Sequence, residues 1–376
     1  RVLGKQGRAD ERTVEPTHVP RLSKRSRKAK PVMGSRLAPV GFDGVSPYLV
    51  TACPGTQLAL QQAALGPRAV ALSVGLGYTD SHVKKLADKI RRVGLVANVE
   101  KHSCVAVVQQ AARLVRASGR EPVADVATAR LARLKTATAA DAAAVARETD
   151  LLLVFGGDGT MLRAARDTAD AGTPLLGVNI GGLGFLTAIS AGQFATQLRA
   201  VWQGSFTLET RPLIEASGSL GGLFLSRAAL NDFVVSRGSG SRLIELEVTV
   251  DGEELTRYRC DGLIVSSPTG STAYSLAAGG AIVSPRAEVF TITPICPHTL
   301  SNRSVVVSLQ SAIGIRALSG RIEALLSADG EVVAPLAAGE TVLIRRSTRA
   351  VRLLHLAGDS FFRTLRQKLN WSGSHV

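Results

Sequence analysis

Five apolar residues, Leu151-Leu152-Leu153-Val154-Phe155, run without a polar break into Gly156-Gly157-Asp158-Gly159-Thr160, and Met161-Leu162-Arg163-Ala164-Ala165-Arg166 follows as the first turns of a helix. An unbroken apolar run of this length is a strand covered on both faces, the usual state of a parallel sheet. The strand ends in a glycine-rich turn that feeds a helix N-terminus, where backbone N–H groups and the positive helix end can approach a phosphate. Asp158 is out of place in a plain phosphate cradle, because a carboxylate repels phosphate. It fits where phosphoryl transfer also needs a carboxylate to meet a metal or a substrate hydroxyl.

The segments before this turn extend the α/β pattern. Val93-Gly94-Leu95-Val96-Ala97 reads as a buried strand, and Cys104, Val107, Val108, Ala111, Leu114 and Val115 line one face of a helix. Pro122-Val123-Ala124 starts a second strand, residues 139–147 read as a second helix, 151–155 as a third strand and 174–178 as a fourth. Strands that alternate with helices predict a parallel sheet with right-handed crossovers. Ligands then sit at the carboxyl ends of the strands, where Asp158 falls. After about Thr207 the pattern changes. Ile244, Leu246, Val248 and Val250 alternate with Glu245, Glu247 and Thr249, and Asp251-Gly252 supplies a hairpin turn. Further short strands near 321–328 and 341–356 predict a mostly β second domain.

Two more blocks carry chemistry. Cys260-Asp261-Gly262-Leu263-Ile264-Val265-Ser266-Ser267-Pro268-Thr269-Gly270-Ser271-Thr272-Ala273-Tyr274 again reads as strand, turn and a helix start rich in hydroxyls, which suits either an N-cap or a phosphate or ribose contact. Ala229-Leu230-Asn231-Asp232-Phe233-Val234-Val235 places two polar residues between apolar runs. Together with Gly177-Val178-Asn179-Ile180-Gly181-Gly182-Leu183-Gly184-Phe185 and Pro294-Ile295-Cys296-Pro297-His298-Thr299-Leu300, these blocks resemble the NAD kinase family in order and spacing, over roughly 93–369. Gly-Gly-Asp-Gly alone also fits diacylglycerol and sphingosine kinases, and a nucleotide-binding regulator without turnover is a further reading. The Pro268–Tyr274 block argues against a lipid kinase.

The resemblance implies an α/β N-terminal domain with a parallel sheet and a sandwich-like β domain: a basic extension over 1–92, the α/β domain over 93–206, the NAD-binding β domain over 207–355, and a segment 356–376 whose helix returns to the first domain. It implies a kinase that phosphorylates the 2′-hydroxyl of the adenosine ribose of NAD, with ATP or polyphosphate as donor, a divalent cation such as Mg²⁺ held by substrate phosphates and water, and a homodimer or homotetramer. Asp158 then takes the catalytic role, with Gly157, Gly159 and Thr160 as backbone contacts and Arg163 as either a phosphate contact or a solvated helix residue. Asn231 and Asp232 stand where the family has Asn-Glu, so Asp232 keeps the charge with one methylene less reach. Asp261 falls on the nicotinamide side, with Arg259 read on the same strand face. Arg242 is either a ligand contact or a surface residue, Phe185 either packs over the nucleotide or belongs to the core, and Thr269, Thr272, Ala273, Tyr274, Ser275 and Ala277 line the nucleotide. Family members often have Ser where Ala277 stands. His298 lacks a partner cluster and reads as structural.

Composition limits the partners. The formal charge is +15, but residues 1–92 hold 17 Lys/Arg against 6 Asp/Glu, so the excess sits ahead of the predicted catalytic body and gives no argument for nucleic-acid binding by the core. Four scattered cysteines, Cys53, Cys104, Cys260 and Cys296, have no metal-like spacing and suit a reduced cytoplasm. The uncharged stretch 171–198 holds Pro174 and six glycines, which excludes a lipid-facing helix. Residues 1–68 carry seven prolines and the basic cluster Arg21–Lys30, a composition that reads as a solvated extension. Deleting residues 1–80 is therefore expected to leave activity intact and the thermal midpoint within roughly 2 °C, a change below about 1 kcal/mol; failure to obtain soluble folded protein would refute this.

Overall fold

The structure is a computed structural model that describes residues 80–182, 184–238, 242–299, 302–318 and 324–371. The basic cluster and Cys53 lie outside the described residues. The α/β half comprises α1 (Asp80–Lys89), β1 (Arg92–Ala97), α2 (Cys104–Ala117), β2 (Glu121–Asp125), α3 (Val126–Ala132), β3 (Ala137–Ala139), α4 (Ala142–Arg147), β4 (Leu151–Gly156), α5 (Asp158–Thr168), β5 (Leu175–Asn179), β6 (Ile189–Ser190) and α6 (Phe194–Trp202). The β half comprises β7 (Phe206–Leu220), β8 (Leu223–Ala229), β9 (Asp232–Arg237), β10 (Ile244–Val250), β11 (Glu253–Cys260), β12 (Gly262–Ser266), a single turn α7 (Tyr274–Ala277), β13 (Val289–Ile295), β14 (Val305–Ser308), β15 (Ile313–Ala317), β16 (Ala324–Ala328), β17 (Glu331–Leu336) and β18 (Thr341–Leu356), before α8 (Phe361–Lys368).

The α/β half is a parallel sheet in the order β3-β2-β1-β4-β5, so the chain reverses direction across the sheet between β1 and β4. Such a reversal opens a crevice at the carboxyl ends of the two strands, and the Gly156–Thr160 turn leaves β4 there. The apolar run works as its composition requires. Leu151, Leu153 and Phe155 pack on one face with α2 and α6, while Leu152 and Val154 pack on the other with Met161, Ala164 and Ala165 of α5. All five are fully buried.

Between β2 and β4 the sequence reading needs correction. Ala139 ends a short strand and is not helical. Two helices occupy this region, each opened by an aspartate: the Asp125 carboxylate accepts from Thr128 N and the Asp141 carboxylate from Ala144 N, both at N-cap positions. Ala-rich segments suit helix and short buried strand alike, so periodicity did not separate them.

The β half is a sandwich. Six antiparallel strands, β14-β13-β12-β9-β16-β17, form one layer. The other layer continues the first sheet: β18 pairs with β15 and β7, and near its end Leu353 pairs with Leu175 of β5 in parallel. One sheet therefore runs through both halves. Phe233, Val235, Leu263, Val265, Phe290 and Ile292 on one layer interlock with Leu246, Val248, Ile315 and Ile344 on the other. Where the chain first joins the described fold, α1 buries Ala87 and the following loop buries Ile90 in the core of the parallel sheet. Removing residues 1–91 rather than 1–80 is expected to lower the thermal midpoint by several degrees, because burial of one Ile side chain is worth about 1.5–3 kcal/mol; equal midpoints for the two truncations would refute it.

Candidate active site

Asp158 is the first residue of α5, with Gly157 at the N-cap. Its carboxylate accepts two backbone hydrogen bonds from the loop after β5, from Phe185 N at 2.8 Å and Leu186 N at 3.1 Å. A carboxylate has about four lone-pair sites, so two remain for a ligand. Gly184 permits this approach, because a Cβ there would lie 2.1 Å from the Asp158 carboxylate. Gly156 is required for a similar reason, since a Cβ would meet Thr160 Oγ1 at 2.2 Å. Gly157 and Gly159 differ. A Cβ on either meets nothing within 4 Å, and neither has a positive φ. Nothing inside the chain demands glycine at these two positions, and their backbone faces open space beside the helix N-terminus.

Phe185 is half-buried, its ring 6.3 Å from that of Phe361 on α8. Lys368, two turns further along α8, places Nζ 4.7 Å above the Phe185 ring and 4.0 Å from Asp158 Oδ2. Thr160 is buried. Arg163 is exposed, and its charge acts on Glu331, which Arg166 and Arg227 also pair.

The second cluster lies on the face of the six-stranded layer turned away from the sandwich core. Leu230 packs in the same core as Met161 and Leu186, which sets Asn231 beside α5 at the seam of the two halves. Gly270 rests against the Asn231 backbone so closely that a Cβ would lie 2.2 Å from its carbonyl oxygen. Ser267 N donates to that carbonyl at 2.8 Å, and Ser267 Oγ donates to Leu230 O at 2.6 Å. The Asn231 block and the Pro268–Tyr274 block are thus one unit. Thr269 is buried and accepts from Arg211, itself buried and paired with Glu209 at 2.9 Å. Burial works to raise the Glu209 carboxyl, but His355 and Arg211 outweigh it and hold it at about 2. Thr272 and Ala273 are half-buried, Tyr274 and Ala277 exposed, and Ser275 fully buried against Thr291 and Thr293.

Asp232 is 4% exposed, with Asp329 of the β16–β17 turn as its neighbour. The Asp329 carboxylate accepts from Leu230 N at 2.9 Å, Asn231 N at 2.7 Å and Asp232 N at 3.3 Å. Burial and then the Asp329 charge push the Asp232 carboxyl up to about 7. The Asp329-Gly330 pair is visible in sequence as a turn, but nothing local marks its carboxylate as the clasp of a segment about a hundred residues away.

Asp261 lies at the opposite end of β12 from Ser267, about 20 Å along the strand. Its partner is Arg237, at 2.6 Å. β11 ends at Cys260; Tyr258 and Cys260 turn inward, and Arg259 is exposed on the opposite side of the strand. Arg242 and His298 are exposed. The structure therefore joins Asp158, the glycine turn, Phe185, Asn231 and the Thr269–Ser275 segment along the seam, and sets Asp261 apart. Among the described residues no three His, Cys, Asp or Glu side chains converge as a metal cluster, and no helix is long and apolar enough to cross a membrane.

Known proteins give this geometry a family. Residues 79–206 match the model of the ATP-NAD kinase N-terminal domain, and residues 230–356 that of the ATP-NAD kinase C-terminal domain. An NAD kinase of Symbiobacterium thermophilum is 43% identical over 281 residues, covering 74% of this chain and 99% of the relative. One from Desulforamulus reducens is 46% identical over 223 residues, covering 59% and 77%. Among solved structures, yeast NADH kinase complexed with NADH superposes with a TM-score of 0.70 at 25% identity, over 76% of this chain and 89% of that one. An Archaeoglobus fulgidus NAD kinase in complex with ATP gives 0.58 at 26% identity, over 75% and 100%.

The Asp232 environment sets a pH dependence. Below about pH 4 this carboxyl is protonated in folded and unfolded chains alike; between about 4 and 7 the unfolded chain releases the proton first, so stability falls as pH rises through that window. Asp232→Asn mimics the protonated form. It is expected to stabilise the ligand-free protein at pH 7.5 by on the order of 1–2 kcal/mol, a few degrees in midpoint, with the gain vanishing near pH 4. Thermal unfolding at the two pH values checks this, and a gain independent of pH would contradict it.

Proposed function

We infer that this chain, which belongs to the NAD kinase family, transfers the terminal phosphoryl group of ATP to the 2′-hydroxyl of the adenosine ribose of NAD, giving NADP and ADP. One observation carries the reading at the site: a carboxylate at a helix N-terminus, oriented by two loop amides and flanked by two glycines that face open space. The glycine backbone and the helix end suit the phosphates. The Asn231 amide, the half-buried Thr272 hydroxyl and the exposed Tyr274 suit the adenosine and ribose.

Phosphoryl transfer of this kind is mostly positioning and charge stabilisation. A free lone pair of Asp158 accepts the hydrogen bond of the 2′-hydroxyl and points that oxygen at the terminal phosphorus. The bond from phosphorus to the bridging oxygen of ATP breaks as the bond to the ribose oxygen forms, and the hydroxyl proton passes to Asp158 late. The two amide donors hold the carboxylate in place, so little reorganisation accompanies the step. Asp158 is the only carboxylate of its turn, a donor set that fits a Mg²⁺ ion held chiefly by nucleotide phosphates and water; such an ion supplies charge neutralisation on the phosphate oxygens.

Cys104 and Cys260 are buried free thiols, which suits a reduced cytoplasm. Leu223 and Phe224 at the β7–β8 hairpin and Val332 on β17 are largely exposed, apolar surface that suits the self-association proposed here as a dimer or tetramer. Purified protein incubated with NAD or NADH and with ATP or polyphosphate should form the 2′-phosphorylated product, fastest with ATP; no product with any pair would reject the reading. Asp158→Asn keeps one acceptor for the loop but loses the charge. Its kcat is expected to fall at least about 100-fold, roughly 2.7 kcal/mol, while NAD binding by calorimetry persists; retention of more than about a tenth of kcat would remove Asp158 from the chemistry.

A further inference from the structure

The turn that carries Asp158 lacks a compensating cation of its own. A nucleotide triphosphate brought to Gly157 and Gly159 meets the Asp158 carboxylate at the same place, and like charges oppose its approach. Arg163, the nearest cation along α5, is exposed and its charge falls on Glu331. The positive group at the carboxylate comes from a distant element, α8.

Phe361, Leu365 and Lys368 lie at i, i+4 and i+7 and so share one face of α8. Leu365 is buried, and Phe361 meets the ring of Phe185, whose own backbone N–H binds Asp158. This face delivers Lys368 Nζ to 4.0 Å from Asp158 Oδ2 and 4.7 Å above the Phe185 ring. A separation of 4.0 Å is too long for a hydrogen-bonded ion pair. Among the described residues the ammonium group has no closer partner, so its three N–H donors stay available beside a carboxylate and over an aromatic face. The ring fixes the cation's position without using its donors.

We propose that Lys368 is a catalytic residue of the phosphoryl-transfer site, its ammonium group binding the oxygens of the transferring phosphoryl group beside Asp158. The proposal rests on the kinase reading above. In it, Lys368 forms charge-assisted hydrogen bonds to phosphate oxygens as charge builds on them, neither gaining nor losing a proton, while Asp158 accepts the hydroxyl proton. Helix α8 then serves as part of the active site as well as a cover for Phe185.

Lys368→Met, Lys368→Arg and the wild-type chain separate the outcomes. The Met side chain keeps the length and the packing on Phe185. Lys368→Met is expected to lower kcat at least about 100-fold, with the thermal midpoint within about 2 °C of wild type and the NAD dissociation constant within about twofold, and Lys368→Arg is expected to recover at least about tenfold over Met. A Met variant within about threefold of wild-type kcat overturns the proposal, as does one that turns over faster than wild type, which would make Lys368 a latch on Asp158. A loss in the Met variant matched by a lowered midpoint, with no recovery in Arg, also overturns it in favour of a packing role. In all of these cases the wild type still forms NADP, so the kinase reading stands; a wild-type chain that forms none overturns both.

Discussion

Strand β18 ties the molecule together. Its first half pairs with β15 in the sandwich, its length pairs with β7, and Leu353 near its end pairs with Leu175 of the parallel sheet. Hydrogen-bonded sheet tolerates little shear, because slipping one residue would turn every side chain to the wrong face. Val342 and Ile344 must face the sandwich core while Val351 and Leu353 face the core beneath α5. The register of this one strand therefore fixes the distance between the two halves, and with it the seam where the glycine turn meets the Asn231 block.

The seam is built from apolar packing but worked by backbone polar groups. Met161, Leu186 and Leu230 share one core, and each is adjacent in sequence to a site segment. Above them, Asp158 is held by two amides, Asp329 clasps three, and Gly270 presses on the Asn231 carbonyl. Such a site leaves few groups free to rearrange when substrate arrives, the condition under which fixed dipoles stabilise developing charge. It also concentrates repulsion: the buried Asp232 lies against the half-buried Asp329, and the chain carries that strain where the nucleotide is proposed to bind.

What the sequence disclosed follows from how local each cause is. Leu151–Phe155 reads as a doubly covered strand because every residue is apolar, and Asp158 stands out because no phosphate cradle needs a carboxylate. The Asp251-Gly252 hairpin is equally local, with both residues at positive φ. The Ala-rich stretch between β2 and β4 misled because alanine leaves no periodic mark, and the decisive residues were the capping Asp125 and Asp141. Arg211, Arg237, Asp329 and Lys368 were missed for a different reason. Each meets a residue of the site region across a gap in sequence, from 24 residues for Arg237 and 58 for Arg211 with Thr269 to 210 for Lys368, and the side chain alone reads as an ordinary surface charge. Gly157 and Gly159 stand out in the sequence as part of the glycine-rich turn, while the open space beside each, which sets them apart from the clash-relieving Gly156, is a property of the folded chain.

Helix α8 follows every core strand in the order of synthesis. The pairings that join the two halves all lie at or before Leu356, whereas Phe185 takes its aromatic cover and Asp158 its neighbouring ammonium group from the segment after β18. The frame and the charge balance of the site are thus held by different stretches of chain. A change confined to α8 would alter the surroundings of the Asp158 carboxylate while the sheet register stays as it is.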